Sequence, residues 1–208
     1  MTVTGAGLPD THVPTGASLI PDWITPVDER ALIAFLDAGD WSGEMKRRVQ
    51  HFGYRYDYRA RSATLDSRIG PLPAVLQGLA ERLVAEGRFA ALPDQVIANE
   101  YLPGQGFSAH VDCEPCFGEV VASLSLLSAC EMRFGCLGSG VRRAAILPPR
   151  SLLVLAGPAR RDWTHGIPAR RSDVIDGMRV MRQRRVSLTF RTMRFGLQPV
   201  QEVQRLHP

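Results

Sequence analysis

Residues 185–193 read RVSLTFRTM, and within residues 185–191 polar and apolar side chains alternate with a period of two. Val186, Leu188 and Phe190 would share one face of a β-strand, and the polar residues between them would share the other. Other short runs after residue 94 are β-branched or alternating and are separated by Gly, Pro and Ser. They are QVIANEYL (95–102), EVVASLSLL (119–127), EMRFG (131–135) and SLLVLAG (151–157). The second half of the chain therefore predicts an antiparallel sheet of many short strands.

Two earlier stretches have the spacing of amphipathic helices. In TPVDERALIAFLDAG (25–39), Thr25 is a candidate N-cap, Pro26 stands at the first helical position and Gly39 can end the helix. In PAVLQGLAERLVAEG (73–87), leucines and valines recur at helical spacing before a terminal glycine. Helices followed by many strands indicate an α+β domain, a sandwich or jelly roll whose early helices pack on one sheet.

The chain has 208 residues, of which 45% are hydrophobic and 22% charged, enough for one domain with its own core. We expect this domain to span residues 17–196, between a flexible leader at 1–16 and a C-terminal tail at 197–208. No apolar run approaches the roughly 20 residues that cross a bilayer. The leader lacks the basic region and apolar core of a secretory signal. The expectation is a cytoplasmic monomer with no membrane partner.

Four cysteines are present, at positions 113, 116, 130 and 136. The Cys113-x-x-Cys116 pair is compatible with a zinc or redox site, but Cys130 and Cys136 do not stand at a standard ligand spacing. In a chain without a secretory leader, cysteines are expected to be reduced. We therefore predict small buried thiols, with a second metal at Cys113 and Cys116 as the open alternative.

The net charge of +4 is unevenly distributed along the chain. Residues 1–130 hold 10 basic and 16 acidic side chains, a net charge of −6, whereas residues 131–208 hold 15 basic and 5 acidic side chains, a net charge of +10. Heavy use of arginine is also what a biased base composition of the gene produces. A basic half nevertheless suits an anionic partner such as nucleic acid.

The segment SAHVDCEP (108–115) contains two candidate metal ligands, His110 and Asp112. They are two residues apart, so a strand would point both to one face. His165, which follows a predicted strand, can supply a third ligand. Two imidazoles and one carboxylate on one face of an octahedral ion are typical of non-haem Fe(II) oxygenases, because the opposite positions stay open. The His-x-Asp pair is a weak signal by itself, since it also occurs by chance.

Arg185 and Arg191 are six residues apart, so both lie on the polar face of the predicted strand, with Ser187 and Thr189 between them. Guanidinium groups that face into a barrel need partners. A dicarboxylic co-substrate would supply them, one carboxylate for each arginine in fork geometry. The alternative is an exposed strand face on which both arginines are solvated.

These motifs resemble, in order and spacing, the AlkB family of Fe(II)/2-oxoglutarate dioxygenases over most of the folded chain. They are Asn99-x-Tyr101, Pro103-Gly104, His110-x-Asp112, His165-Gly166 and Arg185-x5-Arg191. The resemblance implies a double-stranded β-helix (jelly roll) and a catalytic Fe(II) held by His110, Asp112 and His165. It further implies a site for 2-oxoglutarate. The residues of that site would be Asn99, Tyr101, Ser123, Arg185, Ser187, Thr189 and Arg191.

The resemblance also implies a reaction. Such oxidoreductases consume dioxygen and 2-oxoglutarate, release succinate and carbon dioxide, and hydroxylate a nearby C–H bond. On an N-methyl group the hydroxylated product loses formaldehyde, so that the net reaction is demethylation.

In AlkB-type enzymes the segment before the barrel covers the substrate base, and here that segment reads MKRRVQHFGYRYDYRARS. Arg47 and Arg48 are expected to contact phosphates, while Tyr56 and Tyr58 stack on an extruded base. The alternative is an alternating strand that buries all its aromatic residues on one face. Glu114 is a further candidate substrate contact, because several nucleobase demethylases carry an acid at that place.

Three functions remain open. The first is oxidative demethylation of alkylated bases in DNA or RNA, that is, nucleic-acid repair. The second is hydroxylation of a tRNA modification, a protein side chain or a small molecule. The third, a non-catalytic nucleic-acid-binding module, has the least support, because every metal and co-substrate position is intact.

Overall fold

The computed structural model describes residues 13–43, 46–57 and 64–195. Over these residues the chain forms three α-helices and twelve β-strands. The helices are α1 (Pro26–Asp37), α2 (Ala74–Ala85) and α3 (Gly157–Arg161). The strands are β1 (Ala17–Ile20), β2 (Arg48–Phe52), β3 (Gln95–Tyr101), β4 (Phe107–His110), β5 (Phe117–Leu126), β6 (Cys130–Cys136), β7 (Arg142–Leu147), β8 (Leu152–Leu155), β9 (Trp163–Ile167), β10 (Ser172–Ile175), β11 (Met178–Met181) and β12 (Arg185–Met193). None of these helices has the length and apolar character needed to cross a membrane.

Six of the strands form an antiparallel sheet in the order β1-β8-β5-β12-β3-β2. The central strand β12 pairs with β5 on one side, where Thr189 lies opposite Ser123. It pairs with β3 on the other side, where Ser187 lies opposite Asn99. Because β12 is paired along both edges, its register fixes which side chains of three strands share a face.

The sheet has one apolar face, as the alternation in β12 predicts. Val186, Leu188 and Phe190 are fully buried in a core cluster that also contains Leu36 of α1 and Leu83 of α2. Burial of one such side chain contributes on the order of 1.5–3 kcal/mol. The prediction that the early helices pack on one sheet is confirmed.

A smaller antiparallel sheet, in the order β4-β9-β6-β7, faces the other side of the six-stranded sheet. Met132 and Phe134 of β6 meet Leu153 and Leu155 of β8 in a second core cluster. Two antiparallel sheets around a shared interior form the jelly-roll arrangement. The predicted fold class is therefore confirmed.

Residues of the predicted leader take part in the core. Val13 is buried in the second core cluster. Its carbonyl oxygen and that of Thr15 accept hydrogen bonds from β7 and α3, respectively. The predicted flexible leader is thus wrong for residues 13–16, which lead directly into the edge strand β1. Residues 1–12 and the tail at 197–208 lie outside the described residues.

The alternative for the segment at 45–62 is an alternating strand with Phe52, Tyr54, Tyr56 and Tyr58 on one face. The strand ends at Phe52. Gly53 follows with a φ of +79°, and a Cβ there would lie 1.8 Å from the carbonyl oxygen of Asp94, so only glycine fits this turn. Phe52 consequently packs against the helix-side core, whereas Tyr56 reaches the space between the sheets. The alternative of a common aromatic face is therefore wrong for Phe52 and Tyr56, and Tyr58 lies outside the described part of the chain.

Several arginines from the basic half of the sequence form ion pairs with acids from the other half. Arg184 pairs with both Asp37 and Glu100, and Arg150 pairs with Asp22. Arginines from the second half of the chain thereby neutralise acids from the first half. The uneven charge distribution along the sequence consequently gives no independent support for a nucleic-acid partner.

A buried ion pair holds the base of the hairpin formed by β10 and β11. Asp173 accepts hydrogen bonds from Arg182 at 2.6 and 2.8 Å and from Arg170 at 2.7 Å. Arg182 also donates to the carbonyl oxygen of Pro168 at 2.8 Å. Burial raises the pKa of Asp173, but the hydrogen bonds from the two arginines outweigh it and hold that pKa below its usual range. The pair fixes the chain immediately before β12.

We predict that Asp173→Asn lowers the free energy of unfolding by about 3 kcal/mol, because Arg182 is then buried without a charged partner. Urea denaturation followed by circular dichroism measures the loss. Asp176→Asn, at the exposed turn of the same hairpin, is the matched control and should change stability by less than about 0.5 kcal/mol. Equal effects of the two variants would show that the ion pair does not hold the hairpin.

Candidate active site

A cavity of about 610 Å³ opens between the two sheets, and both sheets supply its walls. The six-stranded sheet contributes the polar face of β12 and the neighbouring side chains of β3 and β5. The smaller sheet contributes side chains of β4 and β9. The volume is within the range of small-molecule and cofactor sites.

Three potential metal ligands meet in this cavity. His110 ends β4 and lies directly opposite His165 of β9 in the strand pairing. Asp112 follows β4 by two residues. One ligand atom from each of the three side chains lies within 4.8 Å of the others, and His165 Nε2 is 3.6 Å from Asp112 Oδ2. The structure therefore brings together the three residues predicted to bind Fe(II).

The two carboxylate oxygens of Asp112 have different surroundings. Oδ1 accepts a hydrogen bond from Arg191 at 2.8 Å, whereas Oδ2 is buried with no hydrogen-bond partner among the described residues. Burial raises the pKa of Asp112, but the positive charge of Arg191 is the largest of the opposing effects and holds that pKa well below its usual range. An ionised carboxylate with one buried, unpartnered oxygen fits a divalent cation.

His165 provides a neutral imidazole to the same point. Burial lowers the pKa of His165 to about 4, against the opposing effect of Asp112. Its contact with Asp112 is therefore not an ion pair at neutral pH. Metal binding requires an unprotonated imidazole, so His165 is already in the form that a metal needs.

Arg185 and Arg191 both line the cavity. Arg185 is 4% exposed and donates from Nη2 to Ser125 Oγ at 2.8 Å. The Nε and Nη1 atoms of both arginines are buried without a hydrogen-bond partner in the described part of the chain. Buried guanidinium donors of this kind fit an anion with carboxylate groups. The alternative of an exposed, solvated arginine face is wrong.

Five other residues of the implied co-substrate site also line the cavity. They are Asn99, Tyr101, Ser123, Ser187 and Thr189. The guanidinium carbon of Arg185 lies 5.4 Å from the centre of the Tyr101 ring. Burial raises the pKa of Tyr101, so its hydroxyl group keeps its proton and can donate a hydrogen bond at neutral pH.

Two of the predicted substrate residues, Arg47 and Tyr56, line the mouth of the cavity together with Lys46. Arg47 Nε donates to Asn99 Oδ1 at 2.9 Å. Arg47 is thus joined to the implied co-substrate site and not only to the surface that a phosphate would reach.

The structure does not bring Arg48 or Glu114 to the cavity. Arg47 lines the cavity, and neighbouring residues at the start of a strand point to opposite faces. Arg48 therefore points away from the cavity and donates to the buried carboxylate of Glu100 at 2.5 and 2.8 Å. Glu114 is exposed on the turn between β4 and β5. We therefore do not retain either residue as a substrate contact. The prediction for Tyr58 lies outside the described residues.

Cys113 and Cys116 form a disulfide, so the prediction of reduced thiols at these two positions is wrong. Phe117 N donates to the carbonyl oxygen of Cys113 and closes a turn that brings the two Cα atoms to 5.3 Å. This separation suits a disulfide, which composition alone does not reveal. Cys130 is a buried free thiol, as predicted, whereas Cys136 is free but only partly buried.

Two residues at the site were not predicted from the sequence. Phe117 packs against Tyr56 at 5.3 Å and lies 4.6 Å from the guanidinium carbon of Arg191. Extending the alternation of β5 towards its N-terminus would have placed Phe117 on the same face as Ser123. Arg160 of α3 hydrogen-bonds the main chain at the metal site, and no signal in the sequence distinguishes it from the neighbouring arginine.

Comparison with known proteins gives consistent results. Residues 16–191 match the sequence model of the 2OG-Fe(II) oxygenase superfamily. An Arabidopsis thaliana protein named "Alkylated DNA repair protein ALKBH8 homolog" is 37% identical over 202 residues, which cover 86% of this chain and 58% of that protein. The Mus musculus "tRNA (carboxymethyluridine(34)-5-O)-methyltransferase ALKBH8" is 36% identical over 171 residues, which cover 78% of this chain and 26% of that protein.

Similarity extends to solved structures. The structure of OsALKBH1 superimposes with a TM-score of 0.64 at 20% identity and covers 85% of this chain and 96% of that one. At this identity the match concerns the fold alone. The chain spans less than two thirds of the length of the Arabidopsis and mouse relatives.

We predict that Asp112→Asn weakens Mn(II) binding, measured by calorimetry, by more than about 100-fold, the upper end of losses caused by residues outside the ligand shell. The reason is that Asp112 Oδ2 is the only anionic donor of the three ligands. Glu114→Gln removes an acid two residues away and should leave the affinity unchanged. Equal losses in both variants would overturn the assignment of Asp112 as a metal ligand.

We further predict that Arg185→Lys raises the KM for 2-oxoglutarate about tenfold or more. The variant keeps the positive charge but loses the paired, charge-assisted hydrogen bonds that a guanidinium donates to a carboxylate. The KM is measured from succinate formation in the absence of a prime substrate. Arg194→Lys, a change at an exposed position, is the control and should not alter it. An unchanged KM in Arg185→Lys would exclude this arginine from the co-substrate site.

Proposed function

This chain belongs to the 2OG-Fe(II) oxygenase superfamily and is an AlkB-like 2-oxoglutarate-dependent dioxygenase, and we propose that it oxidises alkyl groups on the bases of a nucleic acid. The proposal rests on the meeting of basic and aromatic side chains with the metal ligands at the mouth of the cavity. There Lys46, Arg47 and Tyr56 border the same space as the metal ligands and the buried arginines.

Within this proposal, His110, Asp112 and His165 hold Fe(II). When iron and 2-oxoglutarate are bound, they supply oxidative decarboxylation coupled to hydroxylation of a C–H bond. Arg191 fixes Asp112 Oδ1 by its hydrogen bond, so the unpartnered Oδ2 is the oxygen directed to the metal. His165 stays neutral and does not exchange a proton near pH 7.

Arg185 and Arg191 orient 2-oxoglutarate in this scheme. They lie at opposite ends of the same polar face of β12, and a carboxylate at each end would satisfy their buried donors. Ser187 and Thr189, between them, place small hydroxyl groups where larger side chains would fill the space. The burial of both arginines excludes bulk water from the carboxylates, which strengthens these charge-assisted hydrogen bonds.

Substrate binding is proposed for the mouth of the cavity. Tyr56 is packed on Phe117 and presents an aromatic ring on which an extruded base can stack. Lys46 and Arg47 carry positive charge at the same rim, where phosphates of the strand would lie. This local arrangement supports the proposal even though the charge distribution along the sequence does not.

The position of the oxidised carbon decides the product. A hydroxylated carbon attached to a ring nitrogen is a hemiaminal, which breaks to release formaldehyde and the demethylated base. A hydroxylated carbon attached to a ring carbon is a stable alcohol. We propose oxidative demethylation as the main activity, in keeping with the name of the Arabidopsis relative.

Hydroxylation of a tRNA base is the second candidate function. It is favoured by the 36% identity to the mouse protein whose name refers to carboxymethyluridine in tRNA. Both candidates use the same metal and co-substrate, so only the nucleic acid and the product differ.

We predict that the protein, supplied with Fe(II), 2-oxoglutarate and ascorbate, removes N-methyl groups from single-stranded oligonucleotides, as measured by mass spectrometry of the digested product. In a parallel reaction with bulk tRNA, gain of an oxygen atom without loss of a methyl group would favour the second candidate. If neither nucleic acid changes while 2-oxoglutarate alone is converted to succinate, the nucleic-acid substrate is wrong and a protein or small molecule takes its place.

Tyr56→Ala provides the variant for this assay, because the stacking ring is lost while Lys46 and Arg47 remain. Activity on the oligonucleotide should fall about tenfold, since stacking on one base contributes about 1–3 kcal/mol. The slope of affinity against salt should stay unchanged, because phosphate contacts set that slope. Tyr54→Ala is the control, because Tyr54 packs on Phe195 and not at the cavity.

A further inference from the structure

The short helix α3 carries two adjacent arginines with opposite environments. Arg160 is 3% exposed, whereas the side chain of Arg161 is 51% exposed and pairs with Glu119. The helix lies between β8 and β9. Arg160 therefore stands five residues before His165 in the chain.

The buried guanidinium of Arg160 contacts the main chain at the metal site. Nη1 donates to the carbonyl oxygen of Asp112 at 3.0 Å, and Nη2 approaches the carbonyl oxygen of Cys113 at 3.4 Å. Within residues 13–43, 46–57 and 64–195, no carboxylate forms an ion pair with Arg160. Its direct acceptors are thus two successive peptide oxygens, one of which belongs to a residue that we place at the iron.

Burial of this cation is costly in free energy, and the contacts offset only part of the cost. Removal of a guanidinium from water is unfavourable unless its donors are satisfied, and burial lowers the pKa of Arg160. If Arg160 only filled space in the interior, an apolar side chain of similar volume would fill it at a lower cost in free energy. The geometry of its two hydrogen bonds points to a different reason for its position.

Among the described residues, strand pairing does not hold the main chain at Asp112. Strand β4 ends at His110 and β5 begins at Phe117, so Asp112 and Cys113 lie outside the ladders that hold the neighbouring residues. The disulfide from Cys113 to Cys116 restrains the chain after Asp112. Arg160 restrains it at Asp112 itself and ties it to the segment that delivers His165.

We propose that Arg160 is a positioning residue of the metal site: by holding the carbonyl oxygens of Asp112 and Cys113 it directs the Asp112 carboxylate towards the metal and sets its distance from His165. The inference rests on the iron-binding part of the proposed function and not on the identity of the substrate. The proposed role requires a guanidinium fork, because two nitrogen atoms, Nη1 and Nη2, contact the two successive carbonyl oxygens. The single nitrogen atom of a lysine does not reproduce this geometry.

The test compares four variants of the full chain: Arg160→Met, Arg160→Lys, Arg161→Met and Arg161→Lys. Affinity for Mn(II) is measured by calorimetry on the metal-free protein. Arg160→Met should bind Mn(II) about 10–100-fold more weakly, the usual effect of losing a residue that orients a ligand. Arg160→Lys should recover only part of the loss, and both Arg161 variants should bind like the unaltered protein.

A second readout separates positioning from folding. Thermal melting identifies any variant that is unfolded, and the lysine variant then carries the comparison if the methionine variant does not fold. With saturating Co(II), the visible absorption bands report the coordination of the metal. These bands should shift in the folded Arg160 variants and not in the Arg161 variants. If Arg160 were purely structural, its replacement would lower the melting temperature and leave the Mn(II) affinity and the Co(II) spectrum unchanged.

Each outcome of the test has one meaning. Mn(II) affinity of folded Arg160→Met or Arg160→Lys within twofold of the unaltered protein, with an unchanged Co(II) spectrum, would overturn the proposal. Full recovery by lysine would assign the effect to charge and would overturn the role of the fork. Absence of Mn(II) binding by the unaltered protein would instead contradict the iron site itself, which distinguishes failure of the proposed function from failure of this inference.

Discussion

The two-residue period of β12 is the constraint on which the rest of this structure depends. Because β12 is paired along both edges, it cannot shift by one residue without moving Val186, Leu188 and Phe190 from the helix-side core into the cavity. The same shift would place Arg185 and Arg191 against the helices. Burial of the apolar face thus fixes the polar face, and the site inherits its geometry from the packing of α1 and α2.

Long-range ion pairs then decide which arginines remain available to a ligand. Arg184, one residue before β12, is held by Asp37 and Glu100. Its neighbour Arg185 lines the cavity, and its Nε and Nη1 are buried without a partner among the described residues. Arg48 and Arg47 repeat this relation at the start of β2: the first pairs with Glu100 and the second lines the cavity. In both pairs the alternation of the strand, and not the residue type, assigns one arginine to stability and the other to the site.

This alternation also explains how far the sequence could predict the structure. The faces of β12 follow from local periodicity, and the helices follow from their spacing. Asp112 meets His110 and His165 from a segment beyond the end of β4. The turn at Gly53, the packing of Val13 and the disulfide at Cys113 depend on contacts with distant segments or on a local turn, which periodicity does not encode. Arg48 was misassigned because the start of β2, and therefore the phase of its alternation, cannot be read from a run of basic and aromatic residues.

Asp112 shows how a site is built on a segment that has no regular structure. Arg191 occupies one carboxylate oxygen, Arg160 holds the carbonyl oxygen of the same residue, and the disulfide restrains the next turn. Only Oδ2 is left without a partner among the described residues, 3.6 Å from His165 Nε2. A metal site needs its ligands to be fixed before the metal arrives, since any ordering on binding would reduce the affinity. The contacts around Asp112 provide that order where the strands β4 and β5 do not. They come from β12, which also carries residues of the proposed co-substrate site, and from α3, which directly precedes the strand of His165.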